Sequence, residues 1–143
     1  MKLLLSSDPR LLCAVRGAVE RFAESFGFSE EDARAVTRAV DEAVTNIIRH
    51  AYNGQAGRPI ELSLDPLARR GASGEMNALE IILSDRGPAI KKQQLCARAL
   101  DELRPGGLGL HFIQESMDVV QYSRVKGTNR LRLVKYNRAS KPA

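Results

Sequence analysis

The sequence has 143 residues, 43% of them apolar and 27% charged, with a formal net charge of +5. That length fits one ordinary domain, and the composition is that of a soluble globular chain rather than a disordered or fibrous one. The apolar run at residues 3–5 is far short of the roughly 20 residues that cross a bilayer. It also lacks a signal-peptide core, so a cytoplasmic location without membrane association is expected.

Residues 2–6 read as a short strand. Asp8-Pro9 joins an N-cap side chain to proline at the first helical position. Leu12, Val15, Val19, Phe22 and Phe26 then recur at helical spacing up to Gly27, a C-terminal stop. Cys13 lies among Leu11, Leu12, Ala14 and Val15 and is expected to pack in the core. Neither Cys13 nor Cys96 has His or Cys neighbours at metal-ligand spacing, and a disulfide is not expected in a cytosolic chain.

Ser29-Glu30-Glu31-Asp32 is a second helix start, a capping hydroxyl followed by carboxylates at the positive end of the helix dipole. Val36, Val40, Ala43, Val44, Ile47 and Ile48 form the apolar stripe of a long helix ending near Tyr52. Strands are expected over 60–64 and 78–84, with the polar, Gly-bearing stretch 68–77 as a hairpin loop. Residues 88–105 form a connection of lid length, with a helical turn over 94–103. A helix over 108–117 precedes strands over 119–125 and 130–136, joined by a Gly127-Thr128-Asn129 turn. Residues 1–136 thus form one domain, and 137–143 a flexible tail.

The basic residues near the end, among them Arg124, Lys126, Arg130, Arg132 and Lys135, largely alternate with Val125, Leu131, Leu133 and Val134. That is the pattern of a strand's solvated face. No aromatic platform accompanies them, so direct nucleic-acid binding is not expected. The element order segregates helices from strands, which favours an α+β fold: a mixed, mostly antiparallel sheet with helices on one face. Neither GxGxxG after the first strand nor GxxxxGK[ST] occurs.

Three segments carry the polar chemistry. In Asp41-Glu42-Ala43-Val44-Thr45-Asn46, Glu42 and Asn46 stand one above the other on a helical face. Such a pair suits Mg²⁺-nucleotide chemistry, Asn as a neutral oxygen ligand and Glu as a proton acceptor. It equally suits a solvated face, with Glu42 pairing Arg38 or Arg49. In Ile81-Ile82-Leu83-Ser84-Asp85-Arg86-Gly87, a buried strand delivers a carboxylate that can accept the exocyclic amine of adenine, and Gly87 allows close backbone approach. A plain turn after a strand reads the same way. In Arg104-Pro105-Gly106-Gly107-Leu108-Gly109-Leu110, glycines lead into a helix whose free N–H groups can cradle phosphate. A tight turn with close helix packing is the alternative.

Taken together and in this order, the three segments resemble the GHKL (Bergerat-fold) ATPases, and within them the anti-sigma-factor serine kinases. The resemblance runs through Glu42-Ala43-Val44-Thr45-Asn46, His50-Ala51-Tyr52, Asp85-Arg86-Gly87 and Gly106-Gly107-Leu108-Gly109-Leu110 to Met117-Asp118. It closes on Gly127-Thr128-Asn129-Arg130-Leu131 and the strand after it. It implies a single-domain α/β sandwich that binds ATP or ADP with Mg²⁺. Glu42 would be the catalytic base and Asn46 the Mg²⁺ ligand, with Asp85 and Gly87 at the adenine and Gly106, Gly107, Leu108 and Gly109 along the phosphates. Ala89 stands where many relatives have a second glycine, followed by Ile90-Lys91-Lys92. By the resemblance Lys91, Lys92 or Arg104 would supply positive charge to the phosphates, Arg104 foremost because only Pro105 separates it from the glycines. The implied activity is phosphorylation of a STAS-type anti-sigma-factor antagonist, with a sigma factor as second partner and a homodimer as a common assembly. The alternative is a nucleotide-binding regulatory module without phosphotransfer.

Overall fold

The elements of the computed structural model are β1 (Lys2–Ser6), a 3-10 turn (Pro9–Leu11) running into α1 (Leu12–Ser25), α2 (Glu30–Asn46) and a π-helical turn (Ile47–Ala51). They continue with β2 (Pro59–Gly71), β3 (Gly74–Asp85), α3 (Leu110–Ser116), β4 (Val119–Val125) and β5 (Thr128–Tyr136). The structure describes residues 1–71, 74–90 and 110–138. The helical turn expected over 94–103 and Cys96 lie outside them.

Local chemistry accounts for the helix ends. Asp8 accepts from Arg10 N at 2.9 Å ahead of Pro9. Side-chain and backbone hydrogen bonds from Arg10 hold its carboxyl below the usual carboxylate range. Ser29 Oγ accepts from Asp32 N at 3.1 Å and caps α2, whose first turn carries Glu30, Glu31 and Asp32. α1 stops at Gly27, φ +79°. There Gly27 N donates to Glu24 O at 3.0 Å and Phe28 N to Ala23 O at 3.2 Å, the paired bonds of a Schellman motif.

The sheet has the order β1-β2-β3-β5-β4, and every pairing among the described strands is antiparallel. Ile60, Leu62 and Leu64 of β2, Leu79, Ile81 and Leu83 of β3, and Leu133 of β5 alternate inward and are fully buried. They pack with Val15 and Val19 of α1, Val36, Val40 and Val44 of α2, and Ile113 of α3. Each such side chain contributes about 1.5–3 kcal/mol. On the outward face Arg132 Nε meets Glu80 Oε2 at 2.6 Å.

Several expectations are corrected. Residues 68–71 and 74–77 are ladder rather than loop: β2 and β3 pair from Ile60↔Asp85 out to Gly71↔Gly74. Pro66 is tolerated there for a positional reason. Leu64 N donates to Met1 O at 2.8 Å, so two residues on, the same edge points past the end of β1, where no donor is needed. The β4–β5 turn is two residues long, Lys126-Gly127, with φ +49° and +78°, as a tight hairpin requires. Thr128 and Asn129 therefore belong to β5. Cys13 is exposed, not core, its Sγ donating to Arg10 O at 3.4 Å. Asn137, read as the start of a flexible tail, is buried. Its N donates to Asn77 O at 2.7 Å and its Nδ2 to Gly27 O at 3.0 Å.

Candidate functional site: a cavity between the end of α2 and the end of β3

The inner face of the sheet and the C-terminal end of α2 enclose a cavity of about 240 Å³. Its walls are largely apolar, with Ala43, Ile47, Leu83, Leu110 and Leu131 among them, and Asn46, His50, Asp85 and Asn129 supply polar groups. A small number of polar groups in an apolar cleft is the usual form of a small-molecule site.

On the helix side, Asn46 ends α2 and lines the cavity. Glu42 stands one turn earlier on the same face, half-buried, outside the lining. Among the described residues it has no hydrogen-bond or ion-pair partner, so the pairings with Arg38 and Arg49 that would make it an ordinary solvated face are not formed. The helix then widens into the π turn, where Tyr52 N donates to Ile47 O at 2.9 Å. π turns occur frequently at functional sites, and this one places His50 and Ala51 on the cavity wall.

On the strand side, Asp85 ends β3 with 6% exposure. Its Oδ1 accepts from Gly87 N at 2.8 Å and from Asn129 Nδ2 at 2.9 Å. Its Oδ2 has no hydrogen-bond partner among the described residues. Oδ2 is not among the fully buried side-chain atoms that lack a partner, so it keeps some exposure and is open to a ligand amine at the cavity. Gly87 serves a purpose other than ligand approach. A Cβ there would lie 2.6 Å from Ala51 Cβ and 2.8 Å from Ala51 O, so the missing side chain lets the turn after β3 seat against the π turn. Tyr52 reinforces the same junction, its hydroxyl donating to Pro59 O at 2.5 Å and accepting from Arg86 N at 2.9 Å.

The structure therefore brings Asn46 and Asp85 together on one cavity, with Glu42 a turn away and Gly87 behind. Arg104, Gly106, Gly107, Leu108 and Gly109, like Lys91 and Lys92, lie outside the described residues. The first residue described after them, Leu110, lines the cavity. Sequence reasoning missed Asn129, Tyr122 and Arg124, which surround the Asp85 turn. One signal was available: with the turn at Lys126-Gly127, Asn129, Leu131 and Leu133 follow a period of two and share the inward face.

The chain matches the model of the histidine kinase-like ATPase domain over residues 5–135. It is 29% identical over 135 residues to the serine-protein kinase RsbW of Bacillus pumilus, spanning 89% of this chain and 80% of that protein. It is 30% identical over 106 residues to the serine/threonine-protein kinase BtrW of Bordetella bronchiseptica, spanning 71% of this chain and 69% of that protein. Among solved structures, the RsbU and RsbW domains of Rv1364c from Mycobacterium tuberculosis align with a TM-score of 0.58 at 14% identity. That alignment covers 94% of this chain and 32% of that one. A chain of the SiaB–SiaC complex from Pseudomonas aeruginosa aligns with a TM-score of 0.53 at 15% identity, covering 94% of this chain and 89% of that one. These two likenesses concern the fold. With the family model spanning nearly the whole chain, the protein belongs to the histidine kinase-like ATPase domain family, where it stands with the RsbW-type serine-protein kinases.

Proposed function

We propose that this protein binds Mg·ATP in the cavity and phosphorylates a serine or threonine of a STAS-type anti-sigma-factor antagonist, within a partner-switching cycle in which it also holds a sigma factor. The observation that carries the reading is Asp85, a carboxylate at a largely apolar cavity whose Oδ1 is engaged by Gly87 N and Asn129 Nδ2 and whose Oδ2 has no partner among the described residues. Oδ2 accepts the exocyclic amine of adenine. Guanine presents a carbonyl oxygen at that place and is repelled. A hydrogen bond to a charged group is worth roughly 1.5–3 kcal/mol, enough to set base preference. Gly87, by seating the turn against Ala51, keeps Asp85 at the adenine.

Asn46 offers a neutral amide oxygen at the cavity, which suits Mg²⁺. Arg104 and the 106–109 segment, reaching Leu110 at the cavity wall, supply the phosphate contacts. Bound Mg·ATP brings the γ-phosphoryl group and the cation that neutralises its charge, and the protein's part is mainly positioning. Glu42, half-buried and unpaired among the described residues, takes the proton of the partner's hydroxyl as the hydroxyl oxygen bonds to the γ-phosphorus and ADP departs. The names of the RsbW and BtrW relatives support protein-serine or -threonine phosphorylation.

Incubation with Mg·ATP and STAS-domain proteins tests the reading. Phosphate on a partner serine or threonine is expected. Tight ATP binding with every partner left unmodified would contradict the kinase and leave a regulatory module.

A further inference from the structure

Asn129 faces Asp85 across the β3–β5 register and is 1% exposed. Its surroundings dictate which way its amide points. On the Nδ2 side stand only acceptors: Asp85 Oδ1 at 2.9 Å, Gly87 O at 3.2 Å and Pro88 O at 3.0 Å. On the Oδ1 side stand donors, the Tyr122 hydroxyl at 2.5 Å and the Arg124 guanidinium at 2.6 Å. A flipped amide would set donor against donor and acceptor against acceptor on both sides.

Arg124 reaches this group from the edge strand β4. One nitrogen, Nη1, donates both to Asn129 Oδ1 and, at 2.9 Å, to Gly87 O. Among the described residues Arg124 forms no ion pair; its charge is directed at two neutral oxygens behind the Asp85 turn. Charged donors make the stronger hydrogen bonds, and a donor at Oδ1 polarises the amide so that its N–H groups donate more strongly to Asp85. The Tyr122 hydroxyl also accepts from Ile90 N at 3.3 Å, extending the bracket one residue beyond the cavity-lining Ala89.

We infer that Arg124 is a positioning residue for nucleotide selection: through Asn129 and Gly87 O it holds Asp85 with Oδ1 engaged and Oδ2 presented, and so sets preference for a 6-aminopurine. The inference rests on the adenine reading of the cavity. A purely structural role would leave base preference untouched, since Arg124 is exposed at the sheet edge and the Lys126-Gly127 turn does not depend on it.

The test is titration of Mg·ATP, and of the same nucleotide lacking the 6-amino group, into wild type, Arg124→Met and Arg124→Lys, with melting temperatures recorded. In Arg124→Met, ATP should bind about tenfold more weakly, the size of one charge-assisted hydrogen bond, while the analogue changes less than twofold. Arg124→Lys should restore most of the preference, because one nitrogen makes both contacts. Unchanged preference in Arg124→Met, or equal losses for both nucleotides, would overturn the inference and leave the adenine site standing. A folded wild type that binds neither nucleotide would overturn both.

Discussion

At the strand side of the cavity Asn129 is bonded at both ends of its amide, and Asp85 has Oδ1 engaged and Oδ2 without a partner among the described residues. At the helix side Glu42 is half-buried without a partner among the described residues, and Asn46 stands one turn on. The first arrangement suits recognition, where a group must hold one orientation against a wrong ligand. The second suits chemistry, where a carboxylate must be able to change its proton. Gly87 and Tyr52 join the two, one by the closeness it permits to Ala51, the other by its bonds to Pro59 O and Arg86 N.

If that division holds, substitutions should separate binding from catalysis. The largest effect is expected at Glu42. Glu42→Gln should slow phosphotransfer by about 10²- to 10⁴-fold with ATP affinity changed less than threefold; single-turnover rates beside equilibrium binding would show it, and an equal loss in both would break the division. Next is the joint. Gly87→Ala forces a Cβ into Ala51 backbone and should cost about 2–3 kcal/mol of stability, read by denaturant unfolding, and weaken ATP binding with it. Tyr52→Phe leaves Arg86 N without its hydroxyl acceptor and should cost about 1–2 kcal/mol on the same measurement.

The smallest effect lies outside both halves, at Asp8. Arg10 depresses its carboxyl below the ordinary 3.8. Its contribution is therefore present above that value and is lost as pH falls through it toward the lower folded-state value. Asp8→Asn should flatten only this acid limb of the stability curve and leave nucleotide binding as it was.

What could be read from the sequence follows the range of the interactions. Ser29, Asp8-Pro9 and Gly27 announce helix ends because each acts within a few residues, and Glu42 and Asn46 share a face because helical spacing makes them neighbours. Asp85 at a strand end was legible for the same reason. Asn129, Tyr122 and Arg124 were not, because their meeting with the Asp85 turn depends on which residues make the β4–β5 turn and on β5 pairing with β3. Ending the turn at Asn129, two residues late, removed Asn129 from the strand. The stretch 68–77 looked like a loop from its Gly, Ser and Arg content, yet backbone pairing along a hairpin asks little of side chains. Asn137 looked like the start of a tail because it is polar; it is buried because Gly27 O and the Asn77 backbone satisfy it.

The central claim is that the cavity selects adenine through Asp85, and calorimetric titration of Mg·ATP and Mg·GTP into wild type and Asp85→Asn tests it most directly. The account predicts ATP-selective binding by the wild type, with ATP affinity falling about tenfold or more and selectivity collapsing in Asp85→Asn. Equal binding of ATP and GTP by the wild type, or ATP binding untouched in the folded variant, would contradict it.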